Sequence, residues 1–287
     1  MTVGAREPIA AEAGAPGRLG PAEVRAAVGL VHSGEVVDLS LPLGPETPVP
    51  GHRPGLSRFM GRDGGDYAAG GKRPGGFQFA EDTVVMPTHV GTHVDALCHV
   101  WHDDRLFDGS PQETIRSTTG ATRCGADKLP PTFARGVLLD IAGEDELAAG
   151  APIGPAELEA AERAAGLEVG EGDVVLVRTG WLGRTGATAA TYYDGEPGLD
   201  TEAAHWLAER RVAMVGADNF AIERIPFLEG EAFPVHQILI ADHGVPLLES
   251  VVLDELAARA AGPFLFVALP LGLVGSTASP LTPVAVL

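Results

Sequence analysis

One stretch, residues 86–99, constrains this chain more than any other part of its sequence. It reads Met-Pro-Thr-His-Val-Gly-Thr-His-Val-Asp-Ala-Leu-Cys-His and contains His89, His93, Asp95 and His99. Three of the nine histidines of the chain therefore fall within eleven residues. Imidazole is the commonest metal ligand in proteins, and aspartate supplies a hard oxygen beside it. The stretch predicts a metal site.

The spacing of these four residues favours an extended chain with one bend. All four occupy odd positions, which share one face of a strand. His93 and Asp95 would be about 6.6–6.8 Å apart along a strand, a span that one ion can bridge, whereas His89 and His93 would be about 13 Å apart. The chain must therefore bend between them, and Gly91 tolerates the backbone angles that a bend needs. A helix fits less well, because it would turn Asp95 away from the two histidines.

The pattern His-x-Gly-Thr-His-x-Asp-x-x-x-His at 89–99 resembles the signature of the metal-dependent cyclase family, which includes bacterial kynurenine formamidases and isatin hydrolases. The resemblance implies that His89, His93 and Asp95 bind Zn or Mn, and that His99 is the catalytic acid and base. It also implies an α/β fold of the swivelling β/β/α type and assembly into a homodimer or homotetramer. From the residues alone, His99 could instead be a core residue that only packs beside the site.

The resemblance extends over roughly residues 35–285, and it includes segments 37–40, 172–181, 215–218 and 273–277. Downstream, His236 and Glu249 resemble the pair with which some family members hold a second ion, together with the shared aspartate. His236 could instead contact the substrate beside a single metal. The resemblance therefore implies one or two divalent ions per chain, and two-histidine, one-aspartate ligation suits Zn and Mn alike.

Composition limits the partners of the chain. Its formal net charge is −19 and its pI is near 4.7, which argues against binding to nucleic acid and to anionic membranes. The sequence contains no run of twenty apolar residues, so no membrane span is predicted. The two cysteines, Cys98 and Cys124, form no disulfide framework and fit a reducing cytoplasm. Cys98 lies within the motif, where it is either a small buried filler or a ligand or nucleophile.

Strand and helix patterns alternate along the chain, which predicts a single α/β domain at 21–287 with a mixed sheet and flanking helices. Residues 1–20, rich in Ala, Gly and Pro, predict a flexible arm. Helices are predicted at 21–32, 155–165, 200–211 and 253–261. Strands are predicted at 35–43, 77–87, 136–141, 174–178, 212–217, 237–241 and 264–269.

Several further residues are candidates for the substrate site. The Pro- and Gly-rich segment 45–76 is either a surface excursion or a lid over the site. Trp101 and Phe107 could wall a substrate pocket. Asp218 follows a predicted strand, and ligands bind at strand ends in open α/β sheets, although a structural hydrogen bond would place it there as well. His102 and the two aspartates after it are typical of a solvated turn.

Together these features predict a cytoplasmic metallohydrolase that acts on a small molecule and cleaves the C–N bond of an amide. By resemblance, the substrate is an aryl formamide such as N-formylkynurenine, or a cyclic amide such as isatin. Metal-bound hydroxide would attack the carbonyl, and His99 would transfer the proton. Two alternatives remain: a polyketide-type cyclase or dehydratase that stabilises an enolate, and a non-catalytic protein that only binds a metal or ligand.

Overall fold

The computed structural model describes residues 12–68, 70–143, 147–185, 190–259 and 262–287. Its strands, numbered along the chain, are β1 (Val36–Asp38), β2 (Ser57–Arg62), β3 (Glu81–Val85), β4 (His93–Asp95), β5 (Ile115–Arg116), β6 (Gly120–Ala121), β7 (Thr132–Asp140), β8 (Pro152–Ile153), β9 (Val174–Arg178), β10 (Gly198–Leu199), β11 (Met214–Ala217), β12 (Leu247–Glu249), β13 (Phe264–Ala268), β14 (Ala278–Pro280) and β15 (Val284–Val286).

Nine of these strands form one mixed sheet, in the order β1-β15-β13-β7-β9-β11-β12-β4-β14. The four neighbouring strands β7, β9, β11 and β12 run parallel, and antiparallel strands extend the sheet on both sides. Separate pairs join β2 to β3, β5 to β6, and β8 to β10. Parallel neighbours cannot be joined by a tight turn, so long connections must link the four central strands.

Helices form part of those connections. The described helices of the chain are α1 (Pro21–Val28), α2 (Gly65–Ala68), α3 (Pro155–Ala165), α4 (Trp181–Thr185), α5 (Thr201–Glu209), α6 (Pro234–His236, continued by a π-helical segment, Gln237–Asp242) and α7 (Asp254–Arg259). Short 3₁₀ turns lie at Ala15–Arg18, Pro74–Gly76, Gln112–Thr114, Ala126–Lys128 and Ala190–Tyr193. α3, α5 and α6 each lie between two successive parallel strands. None of the described helices has the length and apolar character that crossing a membrane requires.

Local sequence explains where the two best-defined helices begin and end. α3 begins with Pro155, whose missing N–H is not needed in the first turn, and Glu157 Oε2 accepts a hydrogen bond from the Gly154 N–H at 2.9 Å. It ends at Gly166, which adopts the left-handed conformation with φ +64°. α5 begins after Asp200, whose carboxylate accepts the Ala203 N–H at 2.8 Å.

The central parallel strands form the core of the molecule. In β9 the four residues from Val174 to Val177 are at most 1% exposed, and β11 is likewise buried throughout. Such strands are covered on both faces, and their sequences are therefore apolar without alternation. The predicted mixed α/β sheet with flanking helices is confirmed, as are the helix at 155–165 and the strand at 174–178.

The prediction of a strand at 237–241 is wrong. This segment is the π-helical continuation of α6, and both Leu239 and Ile240 are buried against the core. An apolar run of this length does not distinguish a buried helix from a buried strand. Pro234 in the first turn of α6 is the local signal for a helix.

Two predicted irregular segments contain more structure than expected. Of the predicted arm, residues 1–11 lie outside the described part, and residues 12–20 pack against the fold instead of extending from it. The Ala15 N–H donates to the Gly244 carbonyl at 2.7 Å, and Ala13 and Ala15 are buried. Small side chains allow this close approach. Segment 45–76 contains β2, which forms an exposed hairpin with β3.

Candidate metal centre and its cavity

Strand β4 carries two of the predicted ligands into the sheet. It lies between β12 and β14, with His93 opposite Glu249 on one side and Pro280 on the other. Just before the strand, Gly91 has φ +56°, and Leu43 occupies the space that a side chain at this position would need. Only glycine fits there without strain. The predicted bend at Gly91 followed by extended chain is confirmed.

Asp95 lies at the centre of the cluster. Its Oδ1 is 2.8 Å from His89 Nδ1 and 3.6 Å from His93 Nε2. Its Oδ2 is 3.8 Å from His99 Nε2 and 3.7 Å from His236 Nε2. The structure thus brings the four residues of the motif together with a histidine from α6, more than a hundred residues downstream.

Glu249, at the end of β12, completes the cluster. Its Oε1 is 3.2 Å from His236 Nε2, and its Oε2 is 3.1 Å from His93 Nε2. Among the described residues, two sets of side chains offer ligand atoms within 4.8 Å of one another: His89, Asp95 and His99, and Asp95, His236 and Glu249. Both sets share Asp95, so these residues would hold one divalent ion or two. The grouping differs in part from the sequence prediction, because His99 takes the position in the first set where His93 was expected.

Three buried atoms in this cluster fit a metal ion. Among the described residues, His93 Nε2 and both carboxylate oxygens of Asp95 are buried and make no hydrogen bond of good geometry, although His89 Nδ1 and Glu249 Oε2 lie close to them. Buried polar atoms are normally hydrogen-bonded, so ligand atoms that approach one another without aligned hydrogen bonds fit a shared metal ion. The opposite ring nitrogen, His93 Nδ1, lies 2.8 Å from the Gly91 carbonyl, which fixes the ring. Nitrogen and oxygen donors of this kind suit Zn and Mn.

The carboxylates of the cluster favour positive charge at its centre. Burial opposes ionisation of Asp95, but the imidazoles of His99 and His89 outweigh it and hold its pKa far below the ordinary value. Burial likewise lowers the pKa of His236, whereas hydrogen bonds with Glu223 and Glu249 raise it more, to about 10. A divalent cation would supply the same positive charge and remove the need for a proton on His236.

Glu223 fixes the orientation of His236. Its Oε1 lies 2.6 Å from His236 Nδ1 and accepts the His236 N–H at 3.1 Å, while its Oε2 accepts the Val235 N–H at 3.1 Å. A carboxylate bonded to one ring nitrogen directs the other nitrogen towards the ligand position. In this fold that position is the one between Asp95 and Glu249.

His99 is the member of the motif that faces open space. Its side chain is 28% exposed, against 1% for Asp95. Burial lowers the pKa of His99 to about 4, an effect that the Asp95 carboxylate opposes and the nearby His89 and His236 rings reinforce. The imidazole is therefore neutral near pH 7 and able to accept a proton.

A cavity of about 500 Å³ opens beside the cluster. It is lined by His52, Arg53, His99, Val100, Trp101, Phe220, Ala232, Phe233, His236, Gln237 and Glu249. The metal-centre residues thus form one wall, aromatic rings line the cavity beside them, and His52 and Arg53 of segment 45–76 also contribute to the lining. The volume suits a small ligand with one or two rings.

Comparison with known proteins agrees with the fold and the motif. The model of the Cyclase family matches residues 37–224, which is more than half of the chain. This chain belongs to the Cyclase family. A crystal structure described as that of a novel cyclase superposes with a TM-score of 0.88 at 33% identity, covering 96% of each chain.

Two named relatives of this Cyclase-family chain are more distant in sequence. Isatin hydrolase of Roseibium aggregatum is 26% identical over 268 residues, which cover 88% of this chain and 91% of that protein. Kynurenine formamidase of Bacillus thuringiensis is 28% identical over 202 residues, which cover 69% of this chain and 75% of that protein.

The candidate substrate residues of the Cyclase-family chain divide into one inside the cavity and two outside. Trp101 lines the wall, where its indole N–H donates to Gln112 Oε1 at 2.9 Å. Phe107 instead packs against the hydrophobic core, where its ring fills the space beside Gly244. The expectation that Phe107 walls the pocket does not match this position, because the ring packs against the core and is not among the residues that line the cavity.

Asp218 has a structural place in the fold. Its buried carboxylate accepts hydrogen bonds from the Thr179 N–H at 2.6 Å, the Thr179 hydroxyl at 2.7 Å and the Gly180 N–H at 2.8 Å. Burial raises its pKa to about 6 despite these bonds. Asp218 is absent from the cavity lining, so it ties β11 to the end of β9 and does not reach the substrate space.

Two other motif neighbours have structural places as well. Cys98 is fully buried, and burial raises the pKa of its thiol to about 12, which makes it a filler and a poor nucleophile. His102 forms an exposed ion pair with Asp242, with its Nε2 2.5 Å from Oδ1, as a solvated turn predicts.

The sequence prediction missed residues that only the fold brings to the cavity. Arg53, Phe220 and Phe233 come from three separate segments without a recognisable motif. Glu223 lies a few residues after the end of β11, and nothing in the local sequence indicates its role. Glu223 and His236 are thirteen residues apart in the sequence, and no local periodicity indicates that they are in contact.

Proposed function

We propose that this chain is a metal-dependent hydrolase that cleaves the C–N bond of an amide, either an aryl formamide or a cyclic amide such as isatin. The observation that carries the proposal is the buried cluster of ligand atoms around Asp95, which make no hydrogen bond of good geometry, next to His99, which faces the cavity. Catalytic metal sites keep such a combination of fixed ligands and open space. The names of the two distant relatives, an isatin hydrolase and a kynurenine formamidase, agree with this reaction.

The residues of the chain have separate tasks in this proposal. His89, His93 and Asp95 would hold the first ion, and His236 and Glu249 would hold a second together with Asp95. A divalent ion at this position supplies Lewis acidity towards water and a carbonyl oxygen. The position of His99 in the first set also makes it a candidate ligand, and only a variant can separate that role from proton transfer.

His99 is suited to move the proton. Its neutral ring can take a proton from the attacking water and pass it to the leaving nitrogen, which is the transfer that amide cleavage requires. Its place on the cavity wall, with Trp101 as a near neighbour in the lining, puts it next to bound substrate. Asp95, 3.8 Å from His99 Nε2, stabilises the protonated ring between the two transfers.

A homodimer or homotetramer remains part of the proposal. Both strands of the β2–β3 hairpin are exposed, and Phe59, Met60, Val84 and Val85 are between 48% and 61% exposed. A lone two-stranded hairpin is marginally stable in water. Residues 57–85, which include both strands and their connection, carry four Lys or Arg and four Asp or Glu, so no net charge opposes contact with another copy of the chain. A second copy would cover the exposed apolar side chains of the hairpin.

The test is a substrate screen with protein that is purified without a metal-binding tag and then loaded with Zn or Mn. Formanilides, N-formylkynurenine and isatin are the substrates, and release of formate or ring opening is measured. We expect turnover of at least one of them that disappears on chelation and returns with added metal. Stoichiometric metal without turnover of any amide would contradict the proposal and favour a protein that only binds a metal or ligand.

A further inference from the structure

One positive charge in the cavity has no part in holding a metal. Arg53 belongs to segment 45–76, and it lines the cavity together with His99 and Glu249. Its backbone N–H donates to the Pro50 carbonyl at 2.8 Å, and its Nη1 donates to the His89 carbonyl at 2.9 Å. Two hydrogen bonds thus hold the residue in place, and the second joins the guanidinium to the backbone of a candidate metal ligand.

The guanidinium of Arg53 has no acidic partner among the described residues. Three arginines that are held in the fold do pair with carboxylates: Arg123 with Asp108 at 2.8 Å, Arg135 with Asp173 at 2.6 Å, and Arg178 with Asp140 at 2.8 Å. Around Arg53, no carboxylate of the described residues lies within 4 Å, although acidic residues outnumber basic ones almost two to one in the whole chain.

The remaining donors suit an anion from outside the protein. A guanidinium has five N–H donors, and within the described ranges a single acceptor, the His89 carbonyl, is bonded to them. Carboxylates match the fork of a guanidinium, and two parallel hydrogen bonds can form. The aromatic side chains Trp101, Phe220 and Phe233 supply apolar walls in the same cavity.

We propose that Arg53 is an anion-binding residue of the substrate cavity, and that the substrate is an aromatic amide that carries a carboxylate. This inference rests on the proposed amide hydrolysis, and it adds the charge of the substrate and the residue that selects it. The metal centre would take the carbonyl end of the substrate, and Arg53 would take the carboxylate. Two fixed points on one small molecule orient the scissile bond towards His99.

The test compares a formanilide that has a ring carboxylate with its methyl ester, which differs mainly in charge. Wild-type protein should prefer the acid in kcat/KM by about 10- to 100-fold, the usual value of a charge-assisted hydrogen bond. Arg53→Gln should remove the preference through a higher KM for the acid, with little change for the ester. Arg53→Lys should restore part of it, and Arg58→Gln, on the exposed hairpin, is the matched control that keeps the wild-type ratio.

Other outcomes overturn the inference. If Arg53→Gln lowers kcat/KM equally for the acid and the ester, the arginine only holds its loop in place. If all values stay as in wild type, Arg53 has no part in substrate recognition. Metal content and thermal unfolding of each variant show whether the cavity is intact. If wild-type protein cleaves neither compound, the proposed hydrolysis fails separately. In that case, calorimetry measures the affinity of wild-type protein and of Arg53→Gln for 2-aminobenzoate and for its methyl ester. An affinity for the acid that falls more than about tenfold in Arg53→Gln supports the anion site. An affinity for the acid that is the same in both proteins contradicts it.

Discussion

The metal wall of the cavity and the wall contributed by segment 45–76 are held by different kinds of contact. In the metal wall, His93, Asp95 and Glu249 stand on paired strands and are at most 4% exposed. The second wall, which we call the covering wall, consists of the loop 48–53, from which His52 and Arg53 line the cavity; side-chain hydrogen bonds attach it, among them one from the Tyr193 hydroxyl to the Pro48 carbonyl at 2.9 Å. A strand pairing cannot shift without loss of the sheet, whereas a few hydrogen bonds can be exchanged at small cost.

Because of this difference, we expect the two walls to have different roles, one in the reaction and one in the selection of the substrate. Reaction chemistry requires ligands fixed to within about half an ångström, and the paired strands provide that precision. Selection among substrates can reside in the covering wall, because changes there leave the metal ligands in place. The two walls meet at the His89 carbonyl, which accepts the Arg53 hydrogen bond.

The largest effect should come from His99, which lies between the walls. We expect His99→Ala to lower kcat by about 10²- to 10⁴-fold, the usual contribution of a general acid–base group. Metal content should stay at the wild-type level, because His89, His93 and Asp95 remain. Steady-state kinetics and elemental analysis of the same preparation test this. Loss of metal together with activity would contradict this prediction and show that His99 is a metal ligand.

The next effect concerns the support of the metal wall. Glu223→Gln removes the negative charge at His236 Nδ1, and we expect affinity for at least one ion to fall about 10- to 100-fold. Competition with a chelator of known affinity measures the change. Glu229→Gln, an exposed position nearby in sequence, should bind metal as wild type does. Unchanged affinity in Glu223→Gln would show that the strands alone position the ligands.

A smaller effect is expected in the covering wall. Tyr193→Phe removes the bond to Pro48, and it should raise KM a few-fold, leave kcat nearly unchanged and cost about 0.5–1.5 kcal/mol of unfolding free energy. Tyr67→Phe is the control, because the Tyr67 hydroxyl bonds Phe79 outside the cavity lining. A fall in kcat with constant KM in Tyr193→Phe would contradict the independence of the two walls.

The smallest effect on activity is expected beyond the covering wall. Phe59→Ser combined with Met60→Ser makes the exposed hairpin polar, and we expect a shift towards monomer with kcat/KM changed less than about twofold. Light scattering after size exclusion measures the assembly. If the wild-type protein is already monomeric at micromolar concentration, the proposal that a second copy of the chain binds this hairpin is contradicted.

The same two walls show how far sequence reasoning reaches. The metal wall was predictable because its ligands cluster within eleven residues, alternate as on a strand and include a glycine at the bend. His236 and Glu249 were predicted only through resemblance, since the fold alone brings α6 and β12 to Asp95. The role of Arg53 could not be predicted, because a Pro- and Gly-rich segment has no periodicity that indicates what it covers.

The errors in the fold have similar causes. The apolar run at 237–241 carried no period that separates a buried helix from a strand, and it was placed by packing against the core. Residues 12–20 were expected to be free because their composition is simple. Their small side chains instead permit close contact, and Gly14 lies against the backbone of Gly244 and the side chain of Leu97. Such contacts depend on distant segments and leave no local pattern.

The metal content of wild type and of Asp95→Ala tests the central claim most directly, because Asp95 is shared by both candidate ligand sets. Elemental analysis after purification without a metal-binding tag should find one or two Zn or Mn ions per wild-type chain and none in Asp95→Ala. Asp82→Ala, on the exposed strand β3, should match wild type. Wild type without stoichiometric metal after addition of Zn and Mn, or Asp95→Ala with the wild-type content, would contradict the metal centre.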